Sequence, residues 1–592
     1  MGYILFILIF LVLSYSYSKI SESKIEIVAS IIFFFMSIVI YFSGLIFSTF
    51  IYGNIFIILL SMVSIFYIIY NFPKEKETFK EDMKKISILI ILYIIAGITL
   101  TGFRSVIWDD FSHWILTVKN MYLLNDLSNN VNSTIHFKTY PPATAIIQYF
   151  FNYIQKINFG KINIEYNSQL ITNYFCMILL LSIVNMSKLE KKSKILLYPF
   201  LFLIPALFNS EVYKSLYVDS ILGLISVYIL LFYEKIKKSE KKSQKYIYID
   251  LSLAVIFLSL VKATGSAMIA FCLIYIVLDF VLTKNYKFNF IIIMNILVSY
   301  LIGRNSWNYY IKTTKVDALW KMKKINLQNI LIILKGKGES YQYETIKNFI
   351  SAIFKEKVGI TSYAIIFFII IIFLILIYLK NKNKENYKLL IYNFLIFLVY
   401  PISLLIMYIF IFSSIEAVNL ASFSRYVSTI IIFLLILNIM LVSKDKIILK
   451  YKKVMMIGFL FLFFGNSTMK RFTIRRNRDI KTVNKIRDEI KELPNTIKEN
   501  EKIFFISNTN VDQGFYYWVY RYVSTPIKIQ ETYYDENIDL FEIIKEYDYL
   551  YLKDFDNKFV NKYSKLFKDN IELNSYYKVE YKNGEIVLIK LN

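Results

Sequence analysis

The sequence predicts an all-α polytopic membrane protein of about 14 transmembrane helices, with a small α/β domain at its carboxyl end. Of the 592 residues, 56% are hydrophobic and 18% aromatic, and the mean hydropathy is +0.48. Many apolar runs approach the ~20 residues that cross a bilayer. Short lysine-rich connections separate these runs, a pattern typical of membrane helices with a fixed orientation. These features exclude an ordinary soluble globular protein.

The apolar runs form two groups, separated by a polar stretch at 104–166. The first group comprises 3–18, 25–46, 49–71 and 86–103. The second comprises 167–187, 195–209, 217–233, 247–261, 265–283, 288–303, 361–379, 389–412, 426–443 and 454–466. Residues 141–155 are apolar but too short for a comfortable crossing, so we expect an interfacial helix there.

The lysines predict which connections face the cytoplasm. The first connection carries Lys19 and Lys24, and the basic connections 234–246, 283–287, 380–388 and 443–453 fall on the same side when the spans alternate. The outer loops are then 104–166 and 304–360. Because the formal charge of +25 follows this orientation pattern, membrane lipids are the expected surroundings, and no nucleic-acid partner is predicted.

The tail lacks the long apolar runs of the rest of the chain and alternates short apolar and polar stretches. This difference predicts a membrane domain at 1–469 and a soluble domain at 470–592. After a polar helical stretch at 479–499, short strands and helices alternate, ending in a hairpin around Asn583-Gly584. Basic residues after the last span lie on the predicted outer side, against the usual bias. Either the final apolar segment does not cross the membrane, or a long translocated domain overrides the bias, which is the interpretation we favour. They are Lys470, Arg471, Arg475, Arg476 and Arg478.

An acidic pair stands where a membrane segment gives way to an aromatic-rich connection, in Trp108-Asp109-Asp110-Phe111-Ser112-His113-Trp114. Adjacent carboxylates beside a membrane repel each other and need water, a cation or a chemical task. If this stretch is helical, His113 shares a face with Asp109 and Asp110. The alternative is that the pair only solvates a helix end.

The predicted topology sends many ionisable residues to the outer ends of spans, which favours an outward-opening polar chamber. They are Arg104, Asp109, Asp110, His113, His136, Lys138, Glu211, Lys214, Asp219, Lys262, Arg304, Glu416 and Arg425. Simpler readings stay open: Lys262 and Arg425 as headgroup anchors, Asp219 as a helix-end charge or partner of Lys214, Arg304 with Trp307 as an interfacial anchor, and His136 as a loop residue.

Two further motifs complete a resemblance. Lys138-Thr139-Tyr140-Pro141-Pro142 opens the juxtamembrane helix, and Ser422-Phe423-Ser424-Arg425-Tyr426 begins a late span. With the acidic pair in the first large outer loop, residues 86–466 resemble the GT-C superfamily of integral-membrane glycosyltransferases, bacterial members included. The resemblance implies a polyprenyl-phosphate-linked sugar donor and a cell-envelope glycan, lipid or protein acceptor. The three additional amino-terminal spans leave the subfamily open.

The resemblance also implies roles for the candidate residues. A carboxylate of the acidic pair takes the proton from the acceptor hydroxyl, with His113 orienting it, binding the acceptor or helping to hold an ion. Lys138, Lys262 and Arg425 stabilise the departing phosphate. Residues assigned to the substrate cavity are Arg104, His136, Tyr140, Glu211, Asp219 and Arg304. Asp109 and Asp110 are also candidate ligands for Mg²⁺ or Mn²⁺, and metal dependence is left open.

A second class of function is compatible with the same cavity. A polysaccharide polymerase or a lipid-linked glycan transporter would bind the anionic carrier without transfer through the acidic pair, although the related halves and broken helices of transporters are not evident. A receptor would leave the acidic pair unexplained. Cys176 and Cys272 lie in apolar runs and predict neither a disulfide framework nor a zinc site.

Overall fold

The protein is mostly helical and divides into two compact units in a computed structural model. The membrane unit comprises Met1–Phe103, Asn129–Val131 and Phe137–Ile474, and the C-terminal unit comprises Arg104–Ser128, Asn132–His136 and Arg475–Asn592. The structure describes the chain except 130–132, 159–161, 188, 238–243, 284–285, 317–325, 443–476, 491–495, 499–500, 508–513, 534–538, 583–584 and 592.

Seventeen helices precede residue 443 in the described chain. They are α1 (Gly2–Ile20), α2 (Ile25–Phe47), α3 (Ile51–Thr99), α4 (Ile115–Leu124), α5 (Ala143–Gln155), α6 (Ile164–Met186), α7 (Lys191–Phe208), α8 (Asp219–Ile236), α9 (Gln244–Ser259), α10 (Gly265–Thr283), α11 (Tyr286–Thr313), α12 (Leu327–Leu334), α13 (Ser340–Lys355), α14 (Tyr363–Lys380), α15 (Lys384–Phe410), α16 (Ser414–Val418) and α17 (Phe423–Val442). Two-residue strands β1 (Lys357–Val358) and β2 (Thr361–Ser362) pair between α13 and α14.

Within the described residues, nine helices are long and apolar enough to cross a membrane, which is consistent with a multi-pass membrane protein. They are α1, α2, the first part of α3 (Ile51–Pro73), α6, α10, α11, α14, α15 and α17. The predicted spans at 195–209, 217–233 and 247–261 are helices α7, α8 and α9, which are not among the nine. The predicted span 454–466 and most of the basic cluster after it lie outside the described residues, so the count of about 14 stays a prediction.

The predicted spans 49–71 and 86–103 meet in one continuous helix, α3, which contains Pro73. The helix nevertheless bends, because Ser64 and Asp82, eighteen residues apart in α3, both contact the carboxyl end of α1. In the first half of α3, the Ser64 carbonyl accepts a hydrogen bond from Ser16 of α1. In the second half, Asp82 pairs with Lys19 of α1, and further along the Tyr93 hydroxyl donates to the Tyr3 carbonyl at the start of α1. A proline inside a helix removes a hydrogen bond and bends it. The chain therefore doubles back without the predicted loop.

Burial separates inner from outer helices of the membrane unit. The most apolar windows of α2 and α6 are 83% and 89% buried, against 17% for the first part of α3. Phe66 of α3 and Phe368 of α14 leave more than half of their side chains exposed. Apolar side chains on the outside of a helical bundle are expected where lipid rather than water is the solvent.

The stretch predicted as an interfacial helix is α5, and all of its residues except Tyr153 are buried. It packs against α1, α2 and α6. Gln148 donates a hydrogen bond to Thr172 of α6 at 2.8 Å, and Asn152 donates one to Ser168 at 3.3 Å. Because these amides find partners on α6, the polar side of α5 is accommodated inside the bundle.

The C-terminal unit contains a five-stranded mixed sheet, as the alternating tail predicts. Its strands are β3 (Lys502–Ser507), β4 (Lys528–Tyr533), β5 (Tyr549–Leu552), β6 (Ser575–Lys582) and β7 (Glu585–Lys590), in the order β4-β3-β5-β6-β7. Its helices are α18 (Asn477–Ile490), α19 (Phe515–Ser524), α20 (Leu540–Ile543) and α21 (Asn557–Tyr563). β3 is parallel to β4 and β5, and β5-β6-β7 are antiparallel.

The C-terminal unit also includes the acidic motif, which the predicted domain boundary had placed in the membrane domain. A π-helical turn at Asp110–Trp114 continues into α4, and it packs against α19. Phe111 contacts Phe515 and Tyr522 of α19, with ring centroids 6.0 and 5.5 Å apart. Lys119 of α4 donates to the carbonyls of Tyr522 and Val523 at the end of α19. These long-range contacts join the motif to the tail.

Candidate functional site

A cation–carboxylate cluster in the membrane unit brings together three residues that the sequence singled out. The Lys262 ammonium lies 3.0 Å from Asp219 Oδ1, and Arg425 Nε lies 3.6 Å from Asp219 Oδ2. Their side chains are 6%, 2% and 16% exposed for Lys262, Asp219 and Arg425. We call these three residues the α8 amino-end cluster. Asp219 is thus paired with Lys262, whereas the sequence had considered Lys214.

Three chain segments meet to form this cluster. Asp219 is the first residue of α8, Lys262 lies in the link between α9 and α10, and Arg425 lies in the first turn of α17. One turn further along, a Cβ on Gly223 of α8 would lie 2.9 Å from the carbonyl oxygen of Thr429 in α17. Glycine at this position therefore permits the close approach of α8 and α17 that brings Arg425 to Asp219.

Tyrosine rings surround the two cations. Arg425 lies over Tyr217 at 4.0 Å, and Lys262 lies over Tyr426 at 5.1 Å and over Tyr140 at 5.9 Å from the ring centroids. These are cation–π distances. Tyr140 belongs to the predicted site, and its loop is fixed by two bonds: Trp307 Nε1 donates to the Thr139 carbonyl, and Ala143 N donates to the Leu260 carbonyl. The Tyr-Pro-Pro element therefore packs beside Lys262.

The charge balance of the α8 amino-end cluster favours an anion. It contains two cations and one carboxylate, and Asp219 lies at the positive end of α8. Asp219 Oδ2 has no hydrogen-bond partner among the described residues. An arginine fork and a lysine point charge around one carboxylate are groups that also recognise phosphate.

The acidic motif occupies a π-helical turn in the C-terminal unit. Asp110 is 1% exposed and accepts a hydrogen bond from Ser105 Oγ at 2.6 Å. Asp109, the residue before this turn, is half-buried. π-Helical turns are rare and occur often at functional sites. The two carboxyl groups therefore have unequal access to a ligand, with Asp109 the more accessible.

The two histidines are both in the C-terminal unit and have different surroundings. His113 is buried, with Nδ1 3.5 Å from the Thr117 hydroxyl. His136 is half-buried and forms an aromatic group with Trp108 and Trp518, at ring-centroid distances of 5.8 and 4.9 Å. Its backbone N–H donates to the Ser112 carbonyl. The turn is π-helical rather than α-helical, so the face predicted to join His113 to both acids stays a prediction.

The other predicted site residues are spread over both units. Arg104 is exposed in the C-terminal unit. In the membrane unit, Lys138 is half-buried and its carbonyl accepts from Asn129 Nδ2, Glu211 accepts from Ser210 Oγ at 3.1 Å, and Arg304 is half-buried on α11. Trp307, one turn from Arg304, supports the Tyr140 loop rather than serving only as the predicted anchor.

A second charged cluster, at the carboxyl end of α8, was missed by the sequence reasoning. The buried Lys388 ammonium lies 3.1 Å from Glu234, 2.7 Å from Asp279 and 2.7 Å from Glu385. Lys237 also pairs with Asp279 at 2.9 Å. We call these five residues the α8 carboxyl-end cluster. The available signal was Asp279, a single acid inside the apolar run 265–283, since such residues are rare in membrane helices.

The arrangement of carboxylates tests where a divalent cation would fit. Within the described chain, the group of three acidic side chains close enough to share an ion is Glu234, Asp279 and Glu385. The Lys388 ammonium already contacts all three, so an ion would have to displace it. The Asp109–Asp110 pair offers fewer ligands, which suits Mg²⁺ only together with water or substrate phosphate.

Comparisons with protein-family models, with curated proteins and with solved structures found no match to this chain.

Proposed function

We propose that the protein is a membrane glycosyltransferase that moves a sugar from a polyprenyl-phosphate donor to a cell-envelope glycan, lipid or protein. The observation that carries the proposal is the α8 amino-end cluster, in which Lys262 and Arg425 flank one carboxylate beside tyrosine rings. A buried lysine and a partly buried arginine with a single counter-charge are suited to a phosphate. As part of the same proposal, we place the protein in a bacterial cell membrane, with the reaction outside the cytoplasm.

The reaction needs a base and an acceptor for negative charge. The oxygen of the incoming hydroxyl bonds to the anomeric carbon, and the bond from that carbon to the phosphate oxygen breaks. The proton goes to a carboxylate, and the polyprenyl phosphate leaves with the electron pair. Lys262 and Arg425 stabilise the leaving group because its charge grows as the bond breaks.

We assign the base to the acidic motif, with Asp109 as the group that meets the acceptor. Asp109 is partly exposed, whereas Asp110 is 1% exposed and held by Ser105. Asp110 then positions the turn that carries Asp109. If the enzyme uses Mg²⁺ or Mn²⁺, these two carboxylates are the ligands we assign, and the ion would supply stabilisation of negative charge.

Labelled sugar transfer into purified membranes tests the proposal. Polyprenyl-phosphate donors with different labelled sugars are supplied to membranes containing wild type, Asp109→Asn, Asp110→Asn or Lys262→Met. We expect Asp109→Asn to lose about 10²–10⁴-fold in rate with normal membrane insertion, as removal of a general base does. Asp126→Asn, a carboxyl of the same unit outside the motif, is the matched control. Wild-type turnover by Asp109→Asn would eliminate the assigned base, and wild-type turnover by both motif variants would remove the acidic motif from the reaction.

A lipid-linked glycan transporter or polysaccharide polymerase is the second candidate, and the α8 carboxyl-end cluster favours the transporter. Glu234, Asp279 and Lys388 are buried ionisable groups in a helical bundle, where such groups often mark ion or substrate pathways. Flux of a labelled polyprenyl-linked glycan in proteoliposomes distinguishes the classes. Flux without transfer would favour transport, whereas transfer without flux favours the glycosyltransferase.

A further inference from the structure

A cavity of about 530 Å³ lies in the membrane unit at the end of α8 opposite Asp219. Its wall includes Lys24, Lys194 and Lys235, together with Glu22, Asn185 and Ser187. Lys235 follows Asp219 by sixteen residues, so a helical rise of 1.5 Å per residue separates the cavity from the α8 amino-end cluster by about 24 Å. The cavity is therefore a separate site.

Three lysines converge on this cavity with little compensation. In the described part of the chain, none of the three ammonium groups is within salt-bridge distance of a carboxylate. Burial, together with the nearby charge of Lys24, lowers the pKa of Lys194 below its usual value. Like charges held together in this way are stabilised by a bound anion.

On the wall itself the three lysines face one exposed carboxylate, Glu22, while the buried Glu26 and Asp250 are outside the wall and partly offset the charges of Lys194 and Lys235. Asp250 accepts a hydrogen bond from Tyr17. The amino end of α2 adds positive character, because its cap residue, Lys24, offers no side-chain acceptor to the first backbone N–H groups.

We propose that this cavity binds a phosphate group, carried either by an anionic phospholipid or by a free phosphate anion. The wall is built from the starts of helices α2 and α7 and the carboxyl ends of α6 and α8, where a helical bundle meets the membrane surface. Basic pockets between membrane helices on the cytoplasmic side are suited to anionic headgroups. The volume is within the range of ligand cavities and exceeds that of a phosphate alone, which fits a headgroup.

Native mass spectrometry of the full-length protein in detergent tests this site. Phosphatidylglycerol, phosphatidylcholine and inorganic phosphate are titrated separately against wild type and against Lys24→Gln/Lys194→Gln/Lys235→Gln. The charge-matched control is Lys191→Gln/Lys192→Gln/Lys287→Gln, three exposed lysines at the starts of α7 and α11. We expect phosphatidylglycerol to bind the cavity variant about tenfold more weakly and the control about as well as wild type.

The lipid and phosphate arms identify the source of the anion. Selective loss of phosphatidylglycerol binding assigns a lipid site, and an equal loss of inorganic phosphate binding assigns a site for the free anion; both sustain the proposal. Equal losses in the cavity variant and the control, or phosphatidylcholine binding as tightly as phosphatidylglycerol, would overturn it. If the triple variant does not fold, Lys24→Gln alone removes one exposed lysine, and unchanged phosphatidylglycerol and phosphate binding by it would also overturn the proposal.

Discussion

Helix α8 has a charged cluster at each end, and the two clusters differ in charge balance. At its amino end, two cations share the single carboxylate of Asp219. At its carboxyl end, three carboxylates share two ammonium groups. Asp219 and Glu234 are fifteen residues apart, which corresponds to about 22 Å along the helix. One helix therefore joins a cluster with excess positive charge to a cluster with excess negative charge.

The clusters also differ in how completely they are hydrogen-bonded. In the α8 carboxyl-end cluster, Tyr233 donates to Asp279 at 2.6 Å and Tyr275 donates to Glu234 at 2.9 Å. At the amino end, Asp219 Oδ2 has no hydrogen-bond partner among the described residues. A buried ionic network is stabilising only when its remaining polar atoms are satisfied. The carboxyl-end cluster therefore works as a clamp between α8, α10 and α15. The amino-end cluster is less completely bonded, and its excess of positive charge is what suits an additional anion.

The largest expected effect follows from removing the central cation of the clamp. Lys388→Met leaves Glu234 and Asp279 buried without their shared ammonium group, and breaking a buried pair in this way costs about 3–5 kcal/mol. The free energy of unfolding in detergent, measured by titration with sodium dodecyl sulfate, should fall by that amount. Lys384→Met, an exposed lysine on the same helix, is the control. Equal stability of both variants would contradict the clamp.

The next effect concerns the contact between α8 and α17. In Gly223→Ala, the new Cβ would lie 2.9 Å from the Thr429 carbonyl, so the helices must separate, and overpacking of this kind costs about 1–3 kcal/mol. Gly97→Ala is a matched control, since its Cβ would be 3.6 Å from the nearest atom. We expect a lower melting temperature and slower sugar transfer for Gly223→Ala and no such change for Gly97→Ala. The same melting temperature for both variants would show that α17 accommodates the methyl group.

Much of the architecture could be predicted because the signals are local. The period of the apolar pattern predicted the helices, and the turn residues predicted the segments of the C-terminal sheet. The reversal within α3 was predicted as a loop, since Pro73 and the charged residues after it are typical of a connection. The chain instead remains helical through the bend. A bent helix and a loop between two helices have the same sequence pattern, so the pattern alone does not distinguish them.

The candidate site was predictable only in part, because its contacts join distant segments. Lys262, Asp219 and Arg425 were each singled out by an ionisable side chain at a helix end, yet their mutual pairing depends on the approach of α8 and α17. The membership of the acidic motif in the C-terminal unit depends on contacts such as Phe111 with Tyr522. No periodicity encodes contacts across 400 residues.

A more selective test of the amino-end cluster replaces the arginine fork and keeps its charge. Arg425→Lys retains a cation near Asp219 but loses bidentate geometry, so we expect about a tenfold rise in the donor concentration needed for half-maximal transfer. Arg521→Lys, on α19 of the C-terminal unit, is the control, because the site does not include this arginine. Because the charge is preserved, the melting temperature should change little. An unchanged donor response would mean that Arg425 is an anchor, and the proposed difference between the two ends of α8 would lose its functional meaning.

The smallest effect concerns Asp126, whose carboxyl group accepts a hydrogen bond from a backbone N–H, whereas the carboxyl groups at the two ends of α8 are paired with lysines. Asp126 accepts from the Leu127 N–H at 2.6 Å, and burial raises its pKa to about 6, against the lowering effect of that bond. The folded state therefore holds a proton that the unfolded state releases near pH 4. This contribution to stability is present below pH 4 and is lost as the pH rises to 6.

Asp126→Asn should therefore stabilise the protein at pH 7.5 and have little effect at pH 4. The pKa shift sets an upper bound on the gain in the free energy of unfolding. Because Asp126 is partly exposed to solvent, we expect a gain of only about 1 kcal/mol. Melting temperatures at the two pH values measure the gain, with the exposed Asp488→Asn as a control in the same unit. A gain of equal size at both pH values would show that packing rather than charge is responsible. Burial of an ionised carboxyl group would then cost little at Asp126. The lysines that pair with carboxylates at both ends of α8 would need an explanation other than offsetting that cost.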